Sequence, residues 1–213
     1  MTVKPDFDSD FQDKLSDLFK WRRDVRHFLP DPISPEEVLE LLEEANLAPS
    51  VGLSQPWRFV LVETQEKRQK VIANFENANS HALNDYSGDK AKLYSQLKLA
   101  GLKEAPVHLA VFCDEGTEKG AGLGRRTMPE MLRYSVVTSI QLLWLAARAK
   151  GIGVGWVSIM DPEKLKQDLA ISEEWQLVGY LCVGKPKQEE ITPELERAGW
   201  ESREELEKLV FRR

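Results

Sequence analysis

Cysteine is almost missing from this chain: Cys113 and Cys182 are its two thiols in 213 residues. Two cysteines cannot build a disulfide framework, and no CxxC pair offers a zinc site. Each lies in an apolar run and is expected to be a buried strand thiol, for which a reducing cytoplasm is the simplest setting. Histidine is equally sparse, and His27, His81 and His108 show no metal-type spacing. HExxH, GxSxG and P-loop patterns are lacking, which argues against a metalloenzyme, a triad hydrolase and a kinase-like enzyme. No apolar run is long enough to span a membrane. The opening MTVKPDFDSDF is acidic and polar, unlike a signal peptide. Positive charge is also short overall: the net charge is -6 and the pI about 5.3. That balance disfavours nucleic acid or an acidic membrane as partner.

Against this deficit stands Arg22-Arg23-Asp24-Val25-Arg26, with three guanidinium groups in five residues. Guanidinium forks match phosphate oxygens bidentately and keep their charge. The tract suits one small phosphorylated ligand, with Asp24 left over for chemistry. The alternative is a solvated basic stretch in which Asp24 is salt-bridged to a neighbouring arginine.

Helices alternate with apolar strands, so the class is α/β or α+β. An amphipathic helix over Phe11–Trp21 leads into the arginine tract. Ser34-Pro35-Glu36-Glu37 is a capped helix start, followed by apolar positions at helical spacing up to Ala45, and Pro49 ends that segment. Strands are expected at Trp57–Glu63, Val107–Cys113, Gly153–Met160 and Trp175–Gly184. Further helices are expected at Lys67–Phe75, at Tyr134–Lys150, and from Asp161-Pro162 to near Ala170. The polar stretch from Glu76 to Gly101 reads as an inserted flap. The charged tail from Glu189 to Arg213 still carries Trp200, Leu206, Leu209, Val210 and Phe211, which need a surface on a partner subunit or on their own domain.

Two loops invite a ligand. Gly151-Ile152-Gly153-Val154-Gly155-Trp156 follows a helix instead of opening one, so it is not a dinucleotide fingerprint. Its glycines either let the backbone approach a flat ligand or reflect a helix C-cap and tight packing. By strand alternation Ser158 would share a face with Trp156 and Met160. In Pro49-Ser50-Val51-Gly52-Leu53-Ser54-Gln55-Pro56-Trp57, the Ser50 and Gln55 side chains could meet a heterocycle edge, or the segment is a plain turn. His108 reads as a core residue, and Arg125 and Arg126 as a solvated pair.

Taken in order and spacing, RRDVR, APSVGLSQPW and GIGVGWVS resemble the nitroreductase-type flavoproteins. The resemblance implies an α+β fold with a central, mostly antiparallel sheet flanked by helices. It also implies an intertwined homodimer holding FMN at its interface. Residues 1–213 would form a single FMN-binding domain, with the flap at about 76–101 and a C-terminal extension at about 189–213. Asp24 stands where such reductases usually carry Ser, and Leu53 where they carry Asn. Both departures resemble the BluB-type 5,6-dimethylbenzimidazole synthases, and the likeness continues through LWLAARAKGIGVGWVS to the closing AGW and LVF.

For that branch the resemblance implies that reduced FMN is bound as a substrate and fragmented with dioxygen. The products would be 5,6-dimethylbenzimidazole, the lower ligand of cobalamin, and erythrose 4-phosphate. NAD(P)H would act through a separate flavin reductase. The resemblance puts the essential carboxylate at Asp24 and a flavin-side hydroxyl at Ser158. Phosphate and ribityl contacts fall to Arg22, Arg23 and Arg26, with further flavin contacts at Val25, Ser50, Gln55, Leu99, Gly155 and Gly199. The competing expectations are an NAD(P)H-dependent nitro, quinone or cob(II)yrinic acid diamide reductase, and a non-catalytic flavin-binding protein.

Overall fold

The computed structural model describes residues 4–97 and 99–213. Along the chain run α1 (Ser9–Trp21), α2 (Pro35–Asn46), β1 (Trp57–Leu61), α3 (Gln65–Leu83) and α4 (Gly88–Gln96). Then follow β2 (Val107–Asp114), α5 (Met131–Ala149), β3 (Gly153–Val157), α6 (Pro162–Leu169), β4 (Trp175–Gly184) and the short α7 (Glu194–Arg197). The strands form one sheet in the order β1-β2-β4-β3, and every neighbouring pair is antiparallel. The expected α+β class with an antiparallel sheet is therefore what the chain adopts. Among the described residues no helix is long and apolar enough to cross a membrane.

β2 and β4 are apolar at nearly every position because helices cover both faces of the sheet. Leu109, Val111, Cys113, Leu181 and Val183 face α2 and α5, among Leu41, Ile140 and Leu143. The alternate residues Ala110, Phe112, Tyr180 and Cys182 face α3 and α6, among Val71, Leu165 and Leu169. Both cysteines are buried thiols, as expected, and they lie on opposite faces of the sheet. Burial pushes each thiol up to about 12.

Local signals set several boundaries. Ser34 Oγ accepts from Glu37 N at 3.1 Å while Glu37 Oε2 accepts from Ser34 N at 2.9 Å, the reciprocal cap read from the sequence. Asp161 Oδ1 accepts from Glu163 N and Lys164 N, each at 3.0 Å, and starts α6. Several boundaries differ from expectation, two of them informatively. α3 runs on to Leu83 instead of ending near Phe75, because no glycine or proline interrupts it. The stretch expected as a flap thus begins inside a helix and continues as α4; Lys98, within it, lies outside the described residues. β3 stops at Val157, short of Met160. Just beyond it the chain turns to meet Asn74, whose amide exchanges two hydrogen bonds with the Asp161 backbone, at 2.8 and 2.9 Å.

The arginine tract is seated on β3. Asp24 bridges Val154 in parallel register, and Val25 N donates to Val154 O at 3.0 Å. A Cβ at Gly155 would meet the Val25 carbonyl oxygen at 2.1 Å, and one at Gly153 would meet the Val25 side chain at 2.8 Å. The glycines of this strand are thus used by the chain itself. Farther on, Phe28 is fully buried and Leu29 N donates to Lys185 O at 2.8 Å, closing the tract over the end of β4. The tail divides in two: Trp200 is half-buried on the body, whereas Leu206 and Phe211 are 68% and 73% exposed.

Two substitutions test this packing. Gly155→Ala drives a methyl into the Val25 carbonyl. It is expected to cost about 1–3 kcal/mol in urea unfolding, as other overpacked sites do. His108 is 1% exposed and its Nδ1 lies 2.9 Å from the Tyr180 hydroxyl. Burial, helped by Arg68, lowers its pKa from 6.5 to about 4. The unfolded chain therefore takes up the proton first, and stability falls as pH drops from the unfolded value towards the folded one. The loss is on the order of 3 kcal/mol at its fullest. Urea titrations above and within that window are expected to show it in the parent chain and to show a flatter dependence in His108→Gln.

Candidate active site

Asp24 sits where the arginine tract meets β3. Its Oδ1 accepts from Trp156 N at 2.8 Å and its Oδ2 from Arg26 Nε at 2.9 Å. Two donors from different parts of the chain fix the plane of the carboxylate, and the side chain keeps 35% of its surface exposed. Both readings of Asp24 thus meet in one place. It is salt-bridged to a neighbouring arginine, and it is also presented at a cleft.

The three arginines divide the work. Arg23 donates to the main-chain carbonyls of Ile191 at 2.8 Å, of Arg22 at 2.6 Å and of Lys20. It ties the tract to the tail. Arg26 holds Asp24. Arg22 lies over the Trp144 ring, 4.9 Å from its centroid, and Trp144 Nε1 donates to Arg23 O at 3.1 Å. Burial lowers the pKa of Arg22; Asp24 opposes that and Arg203 adds to it. Arg23 is lowered by burial and then by Arg22 and Arg203. Three like charges pressed together and partly out of water gain from an incoming anion.

A cleft of about 140 Å³ opens here, lined by Arg23, Asp24, Arg26, Lys187, Glu194 and Arg197 among others. Its size suits a phosphate and the first atoms attached to it. A whole small-molecule pocket takes roughly 300–1,000 Å³. The donor set therefore fits the phosphate end of a flavin mononucleotide, while the ring needs further walls.

The other expected site residues fall in different places. Ser158 directly follows β3 and is exposed. It lies two residues beyond the Trp156 amide that binds Asp24, roughly 7 Å of extended chain. The strand-alternation argument does not reach it, because β3 has already ended. Leu99 is half-buried in the connection between α4 and Gly101. Gly199 has φ +72° and a Cβ there would meet nothing within 4 Å. Its left-handed turn is by itself a sufficient reason for glycine.

Ser50 and Gln55 stand apart from this group. Ser50 Oγ accepts from Gln55 N at 3.0 Å, Gln55 Nε2 donates to Asn46 Oδ1 at 3.3 Å, and Gln55 Oε1 accepts from Lys119. Their loop is fastened to α5 by Val51 N donating to Ser135 Oγ at 3.0 Å and by Thr138 Oγ1 donating to Pro49 O at 3.1 Å. The arginine tract meets the same helix at Trp144, nine residues after Ser135 and roughly 14 Å along the axis. Within one chain the two halves are not joined. The loop carries strain of its own. Leu53 and Gln55 have φ of 54° and 45°, and Ser54 Oγ is buried without a hydrogen-bond partner among the described residues.

Trp144, Arg197 and Arg203 belong to this neighbourhood and were not foreseen. Trp144 sits on the buried stripe of α5 and reads as core. Arg197 and Arg203 are scattered among the glutamates of the tail, and only the folded chain sets them beside the tract.

Comparison with known proteins agrees with this geometry. The Nitroreductase family profile matches residues 19–185. A 5,6-dimethylbenzimidazole synthase of Rhodospirillum rubrum is 54% identical over 203 residues, covering 95% of this chain and 96% of its own. A second, of Rhodobacter capsulatus, is 43% identical and covers 92% of this chain and 94% of its own. Among solved structures, an iodotyrosine deiodinase bound to FMN and 3-iodo-L-tyrosine superposes with a TM-score of 0.70 at 27% identity. It covers 83% of this chain and 91% of its own. The matched span begins just before the docked arginines and runs past the end of β4, and on that ground the chain belongs to the nitroreductase family.

Proposed function

We propose that the chain is a 5,6-dimethylbenzimidazole synthase that takes reduced FMN as substrate and fragments it with dioxygen, releasing erythrose 4-phosphate. The observation that carries this reading is the Asp24 carboxylate, held by Trp156 N and Arg26 Nε beside a cleft to which Arg23, Arg26, Lys187 and Arg197 contribute donors. It gains support from 54% identity to such a synthase over nearly the whole chain. The bound flavin supplies the electrons and dioxygen accepts them.

The chain's own residues would bind, orient and move protons. Arg22, Arg23 and Arg26, with Arg197 and Arg203, hold the phosphate and so fix the ribityl chain; positioning of this kind can contribute several kcal/mol. Asp24 accepts a proton from the ribityl chain as general base, worth about 10²–10⁴-fold. Arg26 and the Trp156 amide keep its carboxylate aimed. Ser158 hydrogen-bonds the ring edge, while Val25, Gly155 and Gly199 border the ligand. α4 and Leu99 cover it and exclude water.

The ring's remaining wall, with Ser50 and Gln55, comes from a second copy of the chain. The distance between loop and tract supports that reading. So does the exposed face of α5, where Tyr134 and Val137 are 51% and 40% exposed. The outer tail, with Leu206, Leu209, Val210 and Phe211, would cover the same partner. One FMN-binding domain thus pairs into a homodimer, in the cytoplasm, supplied by a separate NAD(P)H-dependent flavin reductase.

Aerobic incubation of the pure protein with reduced FMN is expected to yield 5,6-dimethylbenzimidazole by chromatography; flavin that is merely reoxidised refutes the synthase. Asp24→Asn leaves an oxygen to accept from Trp156 N. It is expected to retain FMN binding and to lose about 10²-fold or more of the product rate. Weakened binding with unchanged product per bound flavin would instead assign Asp24 to holding the strand.

A further inference from the structure

We propose that Trp200 is a positioning residue, and that the tail turn carrying it couples anion binding in the arginine cleft to the seating of α4. The natural anion is the flavin phosphate only if the reading above holds; the coupling itself needs any phosphate-like ligand.

α4 has little to hold it. Of its nine residues, Tyr94 alone has a buried side chain. So short a helix is not stable by itself and depends on tertiary packing. That packing is an aromatic cluster completed by the tail. Tyr86 and Tyr94 stack with centroids 4.8 Å apart, and Tyr86 meets Trp200 edge-on at 5.3 Å and 80°. Lys90 Nζ lies 4.4 Å from the Trp200 ring centroid and donates to Trp200 O at 2.8 Å. The Tyr94 hydroxyl donates to Asn79 Oδ1 at 2.8 Å, linking the cluster back to α3. An aromatic pair shifts an equilibrium by roughly twofold to tenfold, so the cluster is strong enough to matter and weak enough to open.

The other end of the same tail segment belongs to the cleft. Ile191 O accepts from Arg23, Glu194 lies 3.4 Å from His27, and Glu194 and Arg197 line the cavity. α7 and the turn behind it join the two ends. Gly199 N donates to Glu196 O at 3.0 Å and Trp200 N to Leu195 O at 2.9 Å, which locks the turn behind the helix. Trp200 stands three residues from Arg197 and three from Arg203. An anion that offsets the repulsion among Arg22, Arg23 and Arg203 draws Arg203, and Arg197 from the cavity wall, towards it. The ring between them then moves with the same turn, against Tyr86, Tyr94 and Lys90.

Hydrogen exchange of the full chain, with inorganic phosphate as probe and then with FMN or riboflavin, tests this. Phosphate and FMN are expected to slow exchange in α4 by about fivefold or more, the range of ordinary coupling between sites. Riboflavin, which lacks the phosphate, is expected to slow it less than FMN does. Trp200→Phe keeps the effect. Trp200→Ala loses it while still binding FMN by equilibrium dialysis, and Lys90→Met, an exposed change, weakens it. The proposal is overturned if phosphate leaves α4 exchange unchanged in the parent chain. Equal slowing by riboflavin, or equal slowing in Trp200→Ala, overturns it too. Because the readout is exchange and not product, a chain that couples normally yet makes no 5,6-dimethylbenzimidazole refutes the chemistry and keeps the coupling.

Discussion

Everything at the site hangs on the seating of residues 24–28 against β3. Val25 can lie on that strand because Gly153 and Gly155 present no side chains, and a methyl at Gly155 would overlap the Val25 carbonyl. This contact delivers Asp24 to the Trp156 amide, Arg22 to the face of Trp144 and Phe28 into the second core layer. The site is therefore not a loop added to a finished sheet. It is a segment near the start of the chain that completes the sheet's edge, so the strand and the acid are positioned by the same bonds.

Much of the framework was legible before folding. β4 and the core of β2 announce themselves as apolar runs, and the Ser34 and Asp161 caps are local signals that need no tertiary help. α3 was legible only in its first half. Its second half is polar on most positions, and helix continuity there follows from the absence of breakers, not from a hydrophobic stripe. β3 overran for the opposite reason: Ser158 to Met160 look extended, but Asn74, more than eighty residues earlier, captures the backbone at Asp161.

The site was half legible. Clustered guanidinium groups on an acidic chain suggest either an anion site or a solvated basic stretch, and Asp24 stands out among them. What the pattern could not assign is the labour of each arginine. Arg23 places three of its five N–H groups on carbonyls and Arg26 its Nε on Asp24, distinctions that depend on where the tail passes. The glycines of β3 admitted two explanations, a ligand or tight packing, and Val25 now accounts for the close approach at Gly153 and Gly155. The cations contributed by the tail were invisible because charged residues there are common and only proximity distinguishes them.

The two thiols gain a new meaning in this setting. Cys113 and Cys182 lie on opposite faces of the sheet and far apart along it, Cys182 opposite His108 and Cys113 opposite Gln176; they are sealed in separate core layers, and burial keeps both protonated. Sulfur is attacked by peroxide as the thiolate. Neither sulfur is ionised, exposed or able to meet the other, so peroxide in the surrounding medium finds no ready target in the sheet that carries the site.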